Sequence, residues 1–128
     1  MKRPLFRIFL LIGALFFLFE AIIHFFGLPV LEHNKIFLPT HDRYIALFAL
    51  TYALLLVLVS TDLEKYKTPF LITMIGILLA ILNATWISWS GGYKLFFPVD
   101  RLDVNLSFLG VGVYTWYALT WISYLRGK

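Results

Sequence analysis

The sequence contains no cysteine, and charged residues make up only 14% of its 128 positions. The absence of cysteine excludes disulfides, thiolate nucleophiles and cysteine-ligated metals. Two catalytic signatures are missing as well. There is no GxSxG nucleophile turn, and Gly91-Gly92 lacks the Lys-Ser/Thr that completes a phosphate-binding loop. The scarcity of charge, against about 25% in soluble domains, is typical of a membrane protein.

Hydrophobic residues account for 61% of the chain, and the mean hydropathy is +0.85. Four apolar segments reach the roughly 20 residues that a helix needs to cross a hydrocarbon core: residues 8–26, 44–60, 70–89 and 105–124. The polar turn between the second and third segments is short, so these two helices must be antiparallel neighbours. The sequence therefore predicts one all-α domain over residues 1–128, an antiparallel four-helix transmembrane bundle.

The distribution of basic residues predicts the orientation of this bundle. The N-terminus, the second connection and the C-terminus together hold seven Lys and Arg residues, whereas the first and third connections hold four. Because cytoplasmic segments carry the excess of positive charge, both termini are expected in the cytoplasm, with the chain in the cell membrane. The first segment continues through Phe25 and Phe26 without a small-residue cleavage site, so it is interpreted as a retained helix. No basic face interleaved with aromatics suggests nucleic-acid binding.

Polar residues of four different segments fall at a similar predicted depth. Glu20 and His24 lie one helical turn apart on one face, and Glu20 is about 9 Å from the outer end of its segment at 1.5 Å per residue. Counting inward from the outer ends brings several other residues to this depth: Thr51 or Tyr52, Asn83 with Trp86, and Tyr114 or Thr115. We expect Glu20, His24, Tyr52, Asn83, Trp86 and Tyr114 to line a small outer-half pocket for a lipid-like or quinone-like molecule. Gly110 and Gly112 would allow close approach there.

Other interpretations of the same residues stay open. The polar side chains could only fix helix packing, as in a structural subunit of a membrane complex. Glu20 and His24 could also serve as acid and base in a lipid isomerase. All three histidines and several carboxylates lie toward the predicted outer side: His24, His33, His41, Glu32, Asp42, Asp100 and Asp103. These side chains could bind a metal ion, as in a metal-dependent oxidoreductase, although their spacing matches no recognised ligand motif. For "THDRY", the simpler interpretation is a helix start, with capping by Thr40 or Asp42 and a local pair of Asp42 with Arg43.

Arg7 with "LLIGALFFLFEAIIHFFG" (Leu10–Gly27), followed by three apolar segments and a short polar turn after the second, resembles the small DoxX-like four-helix membrane proteins. That group includes subunits associated with quinone-linked oxidoreduction. The set Glu20, His24, Asn83 and Trp86 is also similar to the chemistry of the EXPERA group of sterol isomerases and lipid-binding proteins, whose helical bundles place acids, histidine and an Asn/Trp pair around an apolar ligand. Neither resemblance assigns a catalytic residue or a cofactor here.

Overall fold

Four α-helices make up the computed structural model, which describes residues 3–28, 38–89 and 104–126. The helices are α1 (Pro4–Phe26), α2 (Pro39–Thr61), α3 (Lys67–Trp89) and α4 (Val104–Arg126). No strand occurs within those ranges. The prediction of an all-α chain is confirmed for them, and each predicted apolar segment lies inside one helix.

Proline and glycine mark the ends of the first two helices. Pro4 and Pro39 occupy the start of α1 and α2, where a missing backbone N–H costs no hydrogen bond. Gly27 closes α1 in the left-handed conformation, with φ 64° and ψ 38°, and its N–H donates to the carbonyl oxygen of Ile23. Helix α2 begins five residues before the predicted apolar segment, because the polar "PTHDR" continues the hydrogen-bonded helix beyond its hydrophobic part.

Helices α1 and α2 pack side by side in antiparallel directions through small residues. The buried positions of α2 recur every three or four residues and include Ala46, Ala49 and Ala53. Those of α1 follow the same spacing and include Ala14 and Ala21. This spacing keeps one narrow stripe of each helix facing the other, and the small side chains allow the backbones to approach closely.

Side-chain hydrogen bonds to backbone carbonyls attach α4 to its neighbours. The indole Nε1 of Trp116 donates to the carbonyl oxygen of Phe9 in α1 at 2.7 Å. The hydroxyl of Tyr117 donates to the carbonyl oxygen of Met74 in α3 at 3.0 Å. Tyr124, further along α4, contacts Phe6 and Phe70, which precede those two partners in α1 and α3. Helix α4 therefore runs antiparallel to both α1 and α3.

The densest packing lies at the end of the bundle that contains the turn of residues 62–66, here called the 62–66 end. Phe6 and Phe70 meet edge to face there, with ring centroids 5.2 Å apart, and Tyr124 stacks against Phe70 at 5.0 Å. Buried aliphatic side chains complete this core: Leu10, Leu56, Val59, Leu63, Met74 and Ile77. The opposite end, here called the Gly27 end, contains the end of α1 and the start of α2.

Two helices in the described ranges are long and apolar enough to cross a membrane. These are α1 and α2, each with 23 residues, and only 33% of the most apolar window of each is buried inside the chain. The apolar part of α3 in those ranges, Lys67–Asn83, is shorter. The number of helices in the described ranges therefore equals the number of predicted spans. Of these four helices, α1 and α2 have the length and hydropathy that a membrane span needs.

Candidate functional site

Glu20 and His24 form a direct hydrogen bond on one face of α1. The Nε2 atom of His24 lies 3.0 Å from Oε2 of Glu20. The spacing of four residues places the two side chains one turn apart on the same face, and this predicted pairing is confirmed. Both side chains are largely buried, with exposed fractions of 8% for His24 and 13% for Glu20.

The neighbouring helix α2 supplies a second carboxylate to the same imidazole. Oδ1 of Asp42 lies 2.8 Å from Nδ1 of His24, across the interface between the helices. The other oxygen, Oδ2, accepts the backbone N–H of Leu38 at 2.7 Å. That N–H belongs to the residue that precedes the first turn of α2, where a carboxylate also interacts favourably with the helix dipole. Asp42 therefore caps α2 and binds α1 at once.

The three side chains, here called the Glu20–His24–Asp42 cluster, need two protons to form their two hydrogen bonds. Each of the two hydrogen bonds requires one proton between an imidazole nitrogen and a carboxylate oxygen. An imidazolium between two carboxylates satisfies both bonds, and so does a neutral imidazole between one carboxylate and one carboxylic acid. The net charge of the cluster is −1 in either arrangement. It can therefore move a proton among three groups without changing its total charge.

Arg43 follows Asp42 in sequence, but the ion pairs of the described residues do not include one between these two side chains. Its guanidinium lies over the ring of Phe25, 5.1 Å from the centroid, and Nε donates to the carbonyl oxygen of Phe25 at 3.5 Å. The expected local pair of Asp42 with Arg43 is wrong. Asp42 is turned toward α1, where Nδ1 of His24 lies within hydrogen-bond distance, whereas Arg43 lies on the exposed side of α2.

The remaining predicted pocket residues lie on other helices. Tyr52 is half-buried in α2, with its ring 5.5 Å from that of Phe17 and its hydroxyl beside Gly76 of α3. Asn83 and Trp86 are exposed near the end of α3, with 71% of Trp86 accessible. Tyr114 in α4 is 41% exposed. Convergence of these four residues on Glu20 stays a prediction.

Close helix approach occurs at two glycines that the sequence reasoning missed. A Cβ atom on Gly13 would lie 2.7 Å from Cε2 of Trp116, so the indole rests directly on the backbone of α1. A Cβ atom on Gly76 would lie 2.8 Å from the hydroxyl oxygen of Tyr52. Gly112, one of the two expected sites of close approach, has nothing described within 4 Å, and the surroundings of the other, Gly110, are outside the described part of the structure. An isolated glycine inside an apolar helix is the sequence signal that could have identified Gly13 and Gly76.

A metal site would need several ligand side chains close together, and the parts of the chain that the structure describes contain no such set. No group of three His, Asp, Glu or Cys side chains there is arranged to hold a metal ion. His24 directs both ring nitrogens at carboxylates, and His41 is exposed at the start of α2. Four further residues of that interpretation lie outside the described ranges: Glu32, His33, Asp100 and Asp103.

Comparison with known proteins gives no relative from which a role could be transferred, since no family model, curated protein or solved structure matches this chain. The candidate site is therefore defined by its own geometry: an imidazole held between two carboxylates of two packed helices.

Proposed function

We propose that this chain is a small multi-pass protein of the cell membrane, with four spans and both termini in the cytoplasm. Large apolar side chains are exposed along the length of α1 and α2, including Ile12, Leu15, Phe48 and Leu54. In water such a surface would be strongly unfavourable, whereas in a bilayer it faces acyl chains. The seven basic residues at the 62–66 end and the termini, against four on the other side, support the proposed orientation.

The proposed activity is binding of a lipid-like or quinone-like molecule in the outer half of the membrane, with its polar head at the Glu20–His24–Asp42 cluster. The observation that carries this proposal is that cluster: three ionisable side chains, largely buried together between two helices that expose many large apolar side chains. A charged group at the centre of a membrane helix costs about 2.5–3.5 kcal/mol on insertion scales, and Glu20, in the outer half, bears part of that cost, so its retention favours a role in binding or proton exchange. Ligand carbonyl and hydroxyl groups would find both donors and acceptors there.

The proposed ligand site includes the exposed residues of α3 and α4. Asn83 would supply an amide, and Trp86 and Tyr114 would supply aromatic walls to an apolar ring or chain. The similarity to small DoxX-like proteins and to EXPERA-type lipid-binding proteins agrees with a ligand of this class. A role as an accessory subunit of a larger membrane complex is part of the same proposal, since α3 and α4 keep exposed apolar faces.

A purely structural role is the second candidate, and one observation favours it. The bond from His24 to Asp42 joins α1 to α2, and Asp42 also satisfies the N–H of Leu38 at the start of α2. Polar side chains that bond across membrane helices contribute about 0.6–2 kcal/mol each to their association. In this case the cluster would hold the helix pair together and would bind no ligand.

Native mass spectrometry of the gently extracted full-length chain separates the two candidates. We expect the wild-type chain to carry a co-purifying lipid-like or quinone-like mass and Glu20→Gln to lose most of it. Glu64→Gln, the same change at an exposed position in the turn of residues 62–66, should retain that mass. An extracted wild-type chain without such a mass, or a Glu20→Gln variant that retains it fully, would contradict ligand binding at this site.

The topology has its own test, which the absence of cysteine makes simple. A single thiol introduced by Glu64→Cys lies in the predicted cytoplasmic turn, and one introduced by His41→Cys lies at the exposed start of α2. A membrane-impermeant maleimide added to intact cells should label His41→Cys only. Labelling of Glu64→Cys instead would reverse the orientation, and equal labelling of both in intact cells would refute the spanning arrangement.

A further inference from the structure

The position of His24 between two carboxylates suggests more than static binding. Nδ1 faces Asp42 and Nε2 faces Glu20, so each ring nitrogen has its own partner on opposite sides of the ring. The two distances, 2.8 and 3.0 Å, are both hydrogen-bond lengths. A proton can therefore enter the imidazole at one nitrogen while another leaves at the other, and the ring does not have to turn.

The two carboxylates occupy different depths in the bundle. Asp42 lies in the first turn of α2, next to the exposed residues His41 and Arg43 at the Gly27 end. Glu20 lies six residues inside the last residue of α1, about 9 Å from that end at 1.5 Å per residue, whereas Asp42 lies three residues, about 4.5 Å, inside the start of α2. The imidazole connects the shallow carboxylate to the deep one.

We infer that Asp42, His24 and Glu20 form a proton relay between the Gly27 end of the bundle and the interior position of Glu20. The inference rests on the proposed function in one respect, since the recipient of the proton at Glu20 is the ligand's polar head. It narrows the ligand to a class that exchanges protons, such as a hydroxyl or carbonyl compound with an ionisable oxygen, rather than a simple hydrocarbon.

The transfer balances in atoms and charge. At the start, Asp42 is a carboxylic acid whose Oδ1–H donates to Nδ1, and Nε2–H donates to the Glu20 carboxylate. The O–H bond of Asp42 breaks as an N–H bond forms at Nδ1, and the N–H bond at Nε2 breaks as an O–H bond forms at Oε2 of Glu20. At the end Asp42 is ionised and Glu20 carries the proton. The net charge is −1 before and after, so no charge is created in the apolar interior.

Among the residues described, the charged side chains outside the cluster make their contacts elsewhere. On α2, Arg43 is directed to Phe25 and His41 is exposed. The described Lys and Arg residues of α3 and α4, Lys67 and Arg126, belong to the 62–66 end. The nearest titratable neighbours of His24 in the described ranges are thus the two members of its own cluster.

Time-resolved infrared spectroscopy tests the relay in the full-length chain in phosphatidylcholine vesicles. The carboxylic acid band of Glu20 is identified as the band that Glu20→Gln removes and Glu64→Gln retains. After a rapid fall in external pH, Asp42→Asn should slow the growth of this band by at least about tenfold, because the amide has nearly the same shape and its oxygen can still accept the N–H of Leu38, but it delivers no proton to His24. Asp62→Asn is the matched control, since Asp62 accepts the backbone N–H of Lys65 at the opposite end of the bundle.

The relay is refuted if Asp42→Asn and Asp62→Asn protonate Glu20 at the same rate, or if no Glu20 band develops at any pH at which the helices remain folded. If circular dichroism shows that Asp42→Asn loses helix, the growth rate of the Glu20 band is measured in His24→Gln instead. This variant also interrupts proton transfer, and it keeps a polar group between the two carboxylates. Ligand retention is a separate readout. A chain that retains its ligand but protonates Glu20 without Asp42 refutes the relay alone.

Discussion

The contact between Gly13 and Trp116 gives a sharp prediction about how α4 is held on α1. We predict that Gly13→Ala destabilises the fold, because the added Cβ would lie 2.7 Å from Cε2 of Trp116 and closer still to Cζ2. Carbon atoms pack best at about 3.5–4.0 Å, so the rigid indole would have to move by about 1 Å. The hydrogen bond from Nε1 to the carbonyl oxygen of Phe9, now 2.7 Å, would be stretched by that movement.

The magnitude follows from these two losses. Overpacking costs about 1–3 kcal/mol, and loss of the indole hydrogen bond costs about 0.5–1.5 kcal/mol. Alanine also favours the helix over glycine by about 1 kcal/mol, which partly masks the loss. Gly112→Ala gains the same propensity and meets nothing described within 4 Å. The difference in free energy of unfolding between the two variants should therefore be about 1.5–4.5 kcal/mol, with Gly13→Ala the less stable.

Equilibrium unfolding in mixed micelles, with increasing denaturing detergent and helix content followed by circular dichroism, measures this difference. A second test repeats Gly13→Ala in a Trp116→Phe background, where the smaller ring should remove most of the overpacking cost. Equal stability of Gly13→Ala and Gly112→Ala would show that the indole does not rest on α1 as described. An unchanged cost of Gly13→Ala in the Trp116→Phe background would refute the same contact independently.

Three further substitutions probe other contacts by the same unfolding measurement. Gly76→Ala should cost about 1–3 kcal/mol, because its Cβ would lie 2.8 Å from the hydroxyl oxygen of Tyr52, and Tyr52→Phe should reduce that cost; an equal cost in both backgrounds would contradict the contact. Gly27→Ala should cost about 1–2 kcal/mol, since its φ of 64° is left-handed, whereas a neutral result would mean that α1 ends differently. His24→Leu should cost about 3–5 kcal/mol, because it leaves two buried carboxylates without the imidazole between them; a variant as stable as wild type would exclude the cluster.

Most of the fold could be predicted from the sequence because it depends on local patterns. Apolar segments of about 20 residues predict helices, and the polar turn of residues 62–66 is too short for any arrangement of α2 and α3 except an antiparallel one. Gly27 marks the end of α1 because glycine readily adopts a left-handed conformation. The start of α2 is less predictable, because its first turn is polar and a hydropathy pattern detects only the apolar part of a helix.

The candidate site could be predicted only in part. Glu20 and His24 belong to one helix, where a spacing of four residues sets their contact directly. From the sequence, Thr40 or Asp42 is expected to cap α2 and Asp42 to pair with Arg43, because these residues are close along the chain. Its bond to His24 crosses 18 residues of chain and depends on the relative register of α1 and α2. That register comes from the packing of Ala and larger side chains along the interface.

The sequence by itself determined that the described residues form four helices, and that an acid and a histidine share one face of the first helix. These properties follow from residue type and from the fixed 3.6-residue repeat of the α-helix. Only the tertiary structure decided that Asp42 completes a cluster with Glu20 and His24, and that Gly13 rather than Gly112 receives a neighbouring helix. Contacts between helices depend on how far each helix slides and rotates against the next, and no local repeat in the sequence fixes those two quantities.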